Sequence, residues 1–89
     1  MEPIKTLLIP VDSRKSFYGK AVMFTYPDHV ALSSYATIVC SIRNGEFKRH
    51  WVGYSATTMR HVDAFRVANG LPRMGKAEWE KLPVVCYEG

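Results

Sequence analysis

Acidic side chains are scarce where this chain carries most of its charge. Between Arg14 and Lys76 only Asp28, Glu46 and Asp63 stand against ten lysines and arginines. That imbalance argues against a cationic partner. It favours nucleic acid, a nucleotide or an acidic protein face, although a solvated basic surface has the same composition. Cysteine is nearly absent too. Cys40 and Cys86 form no CxxC pair and have no metal-like spacing with the histidines, which excludes a disulfide framework and a zinc motif and predicts reduced thiols in a cytoplasmic protein. No apolar run approaches the ~20 residues that a membrane-spanning helix needs, and the start lacks the charged and apolar regions of a signal peptide. Repeats, linkers and low-complexity segments are missing. What remains is 89 residues with 47% apolar and 22% charged side chains, an ordinary globular composition with room for one domain, residues 1–89.

The local patterns predict an α+β fold: an antiparallel sheet of about four strands, one main helix on one face and a short C-terminal helix. Residues 5–11 (KTLLIPV) are a short apolar run that Pro10 confines to an edge. Residues 12–20 (DSRKSFYGK) are polar, basic and aromatic. Residues 21–26 read as a strand ended by Pro27-Asp28, and residues 30–35 as the next. In residues 37–42, Ile38, Cys40 and Ile42 alternate onto one side. Asn44-Gly45 then suits a two-residue type I′ turn, which needs positive φ at both positions. The return strand, residues 46–52, sets Ile42 opposite Phe47, Cys40 opposite Arg49 and Ile38 opposite Trp51. Arg49 is the odd member of that face, either reaching the rim or making a contact. Ser55 suits an N-cap and Gly70 a C′ position, so a helix spans about residues 56–69 with Val62 and Phe65 inward. Residues 76–82 predict the second helix, stopped by Pro83, and residues 84–87 a closing strand. Trp51, Ile38, Ile42, Phe47, Val62 and Phe65 are the expected core.

Two clusters carry binding chemistry. At the helix start, Tyr54, Ser55, Thr57 and Thr58 precede Arg60 and His61. Free N–H groups, a positive helix end and short hydroxyls suit a phosphate or carboxylate, and Arg60 and His61 add charge-assisted donors. The same residues also suit a plain cap with His61 packed beside Phe65. Helical geometry sets His61 about 40° from Phe65 and about 60° from Thr58, half packed and half open. The second cluster is the basic aromatic loop of Arg14, Lys15, Phe17, Tyr18 and Lys20, whose rings can stack on bases while its cations hold phosphates; Phe17 suits a core anchor equally well. A composite site requires this loop to lie beside residues 54–61.

Catalytic motifs are missing. Asp63 projects about 200° from His61 around a helix and cannot orient its ring. His29, His50 and His61 have no ligand spacing, the carboxylates are scattered, and no phosphate-binding glycine loop is present. A non-enzyme without cofactor or metal is therefore expected.

Three blocks in order carry a resemblance. They are Arg14-Lys15-Ser16-Phe17-Tyr18-Gly19-Lys20-Ala21, Ser34-Tyr35-Ala36-Thr37-Ile38-Val39, and residues 53–65 (GYSATTMRHVDAF). This arrangement resembles small uncharacterised proteins of bacteriophages and mobile elements. At position 36 that family often has Asn, and Ala36 here removes a polar group. The resemblance implies provenance in a host cytoplasm and transfers no activity. The expected function is an accessory protein that binds nucleic acid or a phosphorylated nucleotide; the alternative is an inhibitor of a host defence protein. Exposed strand edges leave an oligomer open, and no membrane partner is expected.

Overall fold

Asn44 and Gly45 adopt positive φ values of 53° and 77°, so the two-residue turn forms as its sequence demands, and the rest of the sheet is built outward from it. The computed structural model describes residues 2–9 and 19–88. Its strands are β1 (Ile4–Leu7), β2 (Ala21–Thr25), β3 (Val30–Ser34), β4 (Thr37–Arg43) and β5 (Glu46–Arg49), followed by helices α1 (Ala56–Ala68) and α2 (Lys76–Lys81). The strands form one antiparallel meander in chain order. The fold is α+β as expected, with five strands rather than about four because the first apolar run pairs with β2 as an edge.

Directly opposed residues share a face and successive residues alternate. One face therefore carries Met23, Leu32, Cys40 and Arg49 in a single row. Helix α1 covers it with Met59, Val62 and Phe65. The helix begins where Ser55 Oγ accepts the Thr58 N–H at 3.0 Å. It ends in a Schellman motif: Leu71 N–H donates to Arg66 at 2.8 Å and Gly70 N–H to Val67 at 3.1 Å, with Gly70 at φ +79°.

Three expectations need correction. Ile38 does not share the inner face with Ile42. A bulge shifts the register between Leu32 and Ser33, so that Leu32 opposes Cys40 while Ser33 opposes Ile38; the extra residue, Val39, is buried, and Ile38 turns to the outer face. Strand β5 stops at Arg49 instead of reaching Val52. The reason is Arg49 itself, which is only 6% exposed. Its guanidinium donates to the carbonyls of Trp51 (2.8 Å), Val52 (2.7 Å), Gly53 (3.4 Å), Trp79 (2.9 Å) and Leu82 (3.3 Å). Carbonyls 51–53 converge on this cation and leave the sheet ladder. Arg49 thus belongs to the interior, satisfied by backbone carbonyls and stacked 4.7 Å from the Trp79 ring. Third, residues 84–87 do not form a strand; one parallel bridge joins Val84 to Arg49.

Of the expected core, Val62 and Phe65 are fully buried, and Ile42, Phe47 and Trp51 pack partly buried against it. Trp79 joins them from α2, fully buried, with its Nε1–H donated to Gly53 O at 3.0 Å.

Candidate functional site

The outer face of the sheet lies opposite α1. Its middle row runs across all five strands as Lys5, Phe24, Ala31, Ser41 and Lys48. The next row is Leu7, Val22, Ser33 and Ile38. Neither row contains a carboxylate. Lys5 Nζ sits 5.8 Å from the centroid of the half-buried Phe24 ring. Among the described residues acids enter at the end holding the β2–β3 and β4–β5 turns, where Arg43 pairs with Asp28 at 2.9 Å and Lys48 with Glu46 at 3.5 Å, and beside Ser41 and Lys48, where Glu88 lies.

At the opposite end, Gly19, Lys20, Val22, Ser33, Tyr35 and Ala36 line an open depression of about 450 Å³. The β3–β4 turn shapes it. Tyr35 and Ala36 hold φ values of 51° and 68°, the left-handed region that side chains with a Cβ disfavour. Tyr35 N–H donates to Lys20 O at 3.0 Å, and its side chain remains 56% exposed.

Of the residues expected to bind, Arg14, Lys15 and Tyr18 lie outside the described residues, as does Phe17. Lys20 lines the depression. The helix-start group divides. Ser55 Oγ, besides capping, donates to Thr58 Oγ1 at 2.9 Å, and Thr58 is buried, so two of the three hydroxyls are used in the cap. Thr57 is exposed. Tyr54 is exposed with Lys76 Nζ 4.8 Å from its ring centroid. Arg60 is half-buried.

His61 is not half open; it is 1% exposed. Its Nδ1 is 2.7 Å from Ser34 Oγ, and its ring lies 5.6 Å from that of Tyr35. The bulged sheet brings Ser34 under the helix and closes the side that helical geometry left open. Burial, and then the Arg60 charge, lower the His61 pKa below its ordinary value. The structure therefore joins Lys20, Tyr35 and His61 at one end of the molecule, through the Tyr35 turn. Sequence reading passed over Tyr35; its signal was a large aromatic in a two-residue turn between strands.

A second polar cluster joins residues far apart in the sequence. His29 Nδ1 meets Asp28 at 2.7 Å and His29 Nε2 meets the Tyr87 hydroxyl at 2.9 Å. The bond from His29 is the main cause that lowers the Asp28 pKa, while burial raises that of Tyr87. Among the described residues no group of three or more His, Cys, Asp or Glu side chains is placed to hold a metal ion, and no helix is long and apolar enough to cross a membrane.

A model of a family of unknown function (DUF8033) matches residues 6–81. No curated protein matches, and no solved structure does.

Proposed function

The chain belongs to that family of unknown function, and from its own geometry we propose that it binds single-stranded nucleic acid on the outer face of its sheet. One observation carries this reading: the strand register sets Lys5, Phe24, Ser41 and Lys48 in one row on the face opposite α1, with Ala31 and Ser41 buried at its middle and the charged and aromatic members reaching solvent on either side. A single strand needs cations along its phosphates and rings for its bases. Lys5 and Lys20 supply charge at sites without a neighbouring acid on the row. Phe24 and the exposed Tyr35 supply rings. Arg14 and Lys15 add charge in the segment leading to Lys20. The proposed setting is a cytoplasm, a host's if the chain is phage-encoded.

Fluorescence anisotropy with labelled single-stranded DNA and RNA tests this. Binding should weaken steeply between about 50 and 200 mM salt, because phosphate contacts release counterions. Lys5→Glu with Lys20→Glu should weaken it more than about tenfold, and Phe24→Ala should cost about 1–3 kcal/mol of binding. No binding at low salt, with a native melting curve, would sink the proposal. Tight binding of one mononucleotide without salt dependence would make the protein a nucleotide sensor instead.

A protein target is favoured by a different observation. The edge strand exposes Ile4 and Leu7, and Ile9 beside it is exposed as well, an apolar margin suited to a partner's strand. Failure with every nucleic acid combined with loss of host-factor inhibition in Leu7→Lys would support that alternative.

A further inference from the structure

Ser41 and Lys48 are direct cross-strand partners on the outer face. His50 follows β5, its backbone N–H held by Val39 O at 2.9 Å. The His50 ring stands between two oxygens: Nδ1 is 2.8 Å from Val85 O, and Nε2 is 2.7 Å from Ser41 Oγ. A carbonyl oxygen can only accept, so Nδ1 carries the hydrogen. In the neutral ring, Nε2 then presents its lone pair to the Ser41 hydroxyl, which donates to it. This is the arrangement of a nucleophile, a base and a group that orients the base. The orienting carbonyl is itself anchored, since Val85 N–H donates to Arg49 O at 2.9 Å, and the edge of the Tyr87 ring packs 5.3 Å from the His50 ring. Ser41, 6% exposed, and His50 line a pocket of about 190 Å³ whose other walls are Arg43, Lys48, Val85, Cys86, Tyr87 and Glu88.

We propose that Ser41 and His50 form a nucleophile–base pair that hydrolyses small carboxylic esters. Ser41 Oγ attacks the ester carbonyl carbon as its proton passes to His50 Nε2. The bond to the leaving alcohol breaks, and Nε2 returns the proton to that oxygen. Water, deprotonated by the same Nε2, then cleaves the acyl-serine and restores both residues. The substrate class follows from the pocket. Its charges are mixed, because Arg43 and Lys48 face Glu88 in the same wall and pair with Asp28 and Glu46, so it selects no ionic ester. The volume is below the ~300 Å³ at which drug-sized sites begin, which limits the acyl group to a short one. The pocket shares Ser41 and Lys48 with the row proposed for nucleic acid, but the activity does not rest on that reading and its test does not involve nucleic acid.

The test incubates the wild-type full chain with a fluorophosphonate probe and maps the adduct by peptide mass spectrometry. The expected result is a single adduct on Ser41. His50→Gln should slow its formation by about 100-fold or more, the loss expected when a general base is removed. Ser41→Ala, which keeps the His50–Val85 contact, should abolish labelling with an unchanged circular dichroism spectrum. An unlabelled Ser41 in natively folded wild-type protein overturns the proposal, and this outcome needs no variant to fold. Equal labelling rates in wild type and folded His50→Gln overturn it as well, since the histidine would then be a bystander.

Discussion

His61 and Arg49 show how far burial can depart from residue type. Both are polar, both are almost fully enclosed, and both are satisfied by specific partners, because a buried polar group without one costs about 1–3 kcal/mol. Their predictions differ in kind. The His61 pKa is lowered on folding, so the unfolded chain takes up the proton first. Stability then rises with pH in that region, and it is lost as pH falls from the unfolded value near 6.5 towards the lower folded one. Between about pH 7.5 and 5.5 the wild-type melting temperature should fall more than that of His61→Gln, after the variant's own loss of about 1–3 kcal/mol from missing packing. Equal pH slopes would show that His61 does not titrate on unfolding. For Arg49, truncation to Ala removes the donor that joins the carbonyls of residues 51–53 to those of Trp79 and Leu82, and leaves the Trp79 ring without its stacked cation. Arg49→Ala should cost at least about 3 kcal/mol in urea denaturation. A loss below about 1 kcal/mol would mean that water replaces the guanidinium without penalty.

Two hairpin turns of the same length are solved with different residues at the scale of elements. Asn44-Gly45 suits its positive φ values, whereas Tyr35-Ala36 adopts the same region with a Cβ at both positions. Gly45→Val should destabilise by about 1 kcal/mol or more, since a β-branched residue resists positive φ. Ala36→Gly should do the opposite and raise the unfolding free energy by a few tenths to about 1 kcal/mol, and the denaturation midpoint with it, the relief of left-handed strain less the added freedom of the unfolded chain. A fall in the midpoint of Ala36→Gly would place the strain elsewhere. The strain falls on the turn that displays Tyr35 beside the depression, which fits a ring held out for contact. The helix was legible to its last turn because its cap, its Schellman glycine and its apolar spacing all lie within residues 55–71. The β4 bulge was not, because alternation in a single strand does not reveal where its partner skips a residue.

For the whole molecule, the two faces of one sheet divide the work. The inner face carries the core and the outer face carries the charge, the open depression and the serine–histidine pair. The thiols report on this division. Cys40 is buried on the inner face, and burial raises its pKa well above the ordinary thiol value, whereas Cys86 is exposed. A thiol reagent should therefore modify Cys86 rapidly in the native protein and Cys40 only at the rate of unfolding. Rapid reaction of both under native conditions would contradict the packing of α1 on β4.

The sequence by itself determined the elements whose causes are local. The Asn44-Gly45 turn set the β4–β5 register, Ser55 and Gly70 bounded α1, and Pro83 closed α2. The turn, the caps and the proline stop depend on interactions spanning a few residues, where backbone sterics and capping bonds dominate. Tertiary structure decided which polar side chains would be inside and which would meet. Arg49 gathers carbonyls from as far away as Leu82, Ser34 reaches His61 across the sheet–helix interface, and Val85 orients His50 towards Ser41. Those contacts are set by the bulge and by the path of residues 83–88 across the sheet. Both arise from packing between segments distant in sequence, which no local pattern encodes.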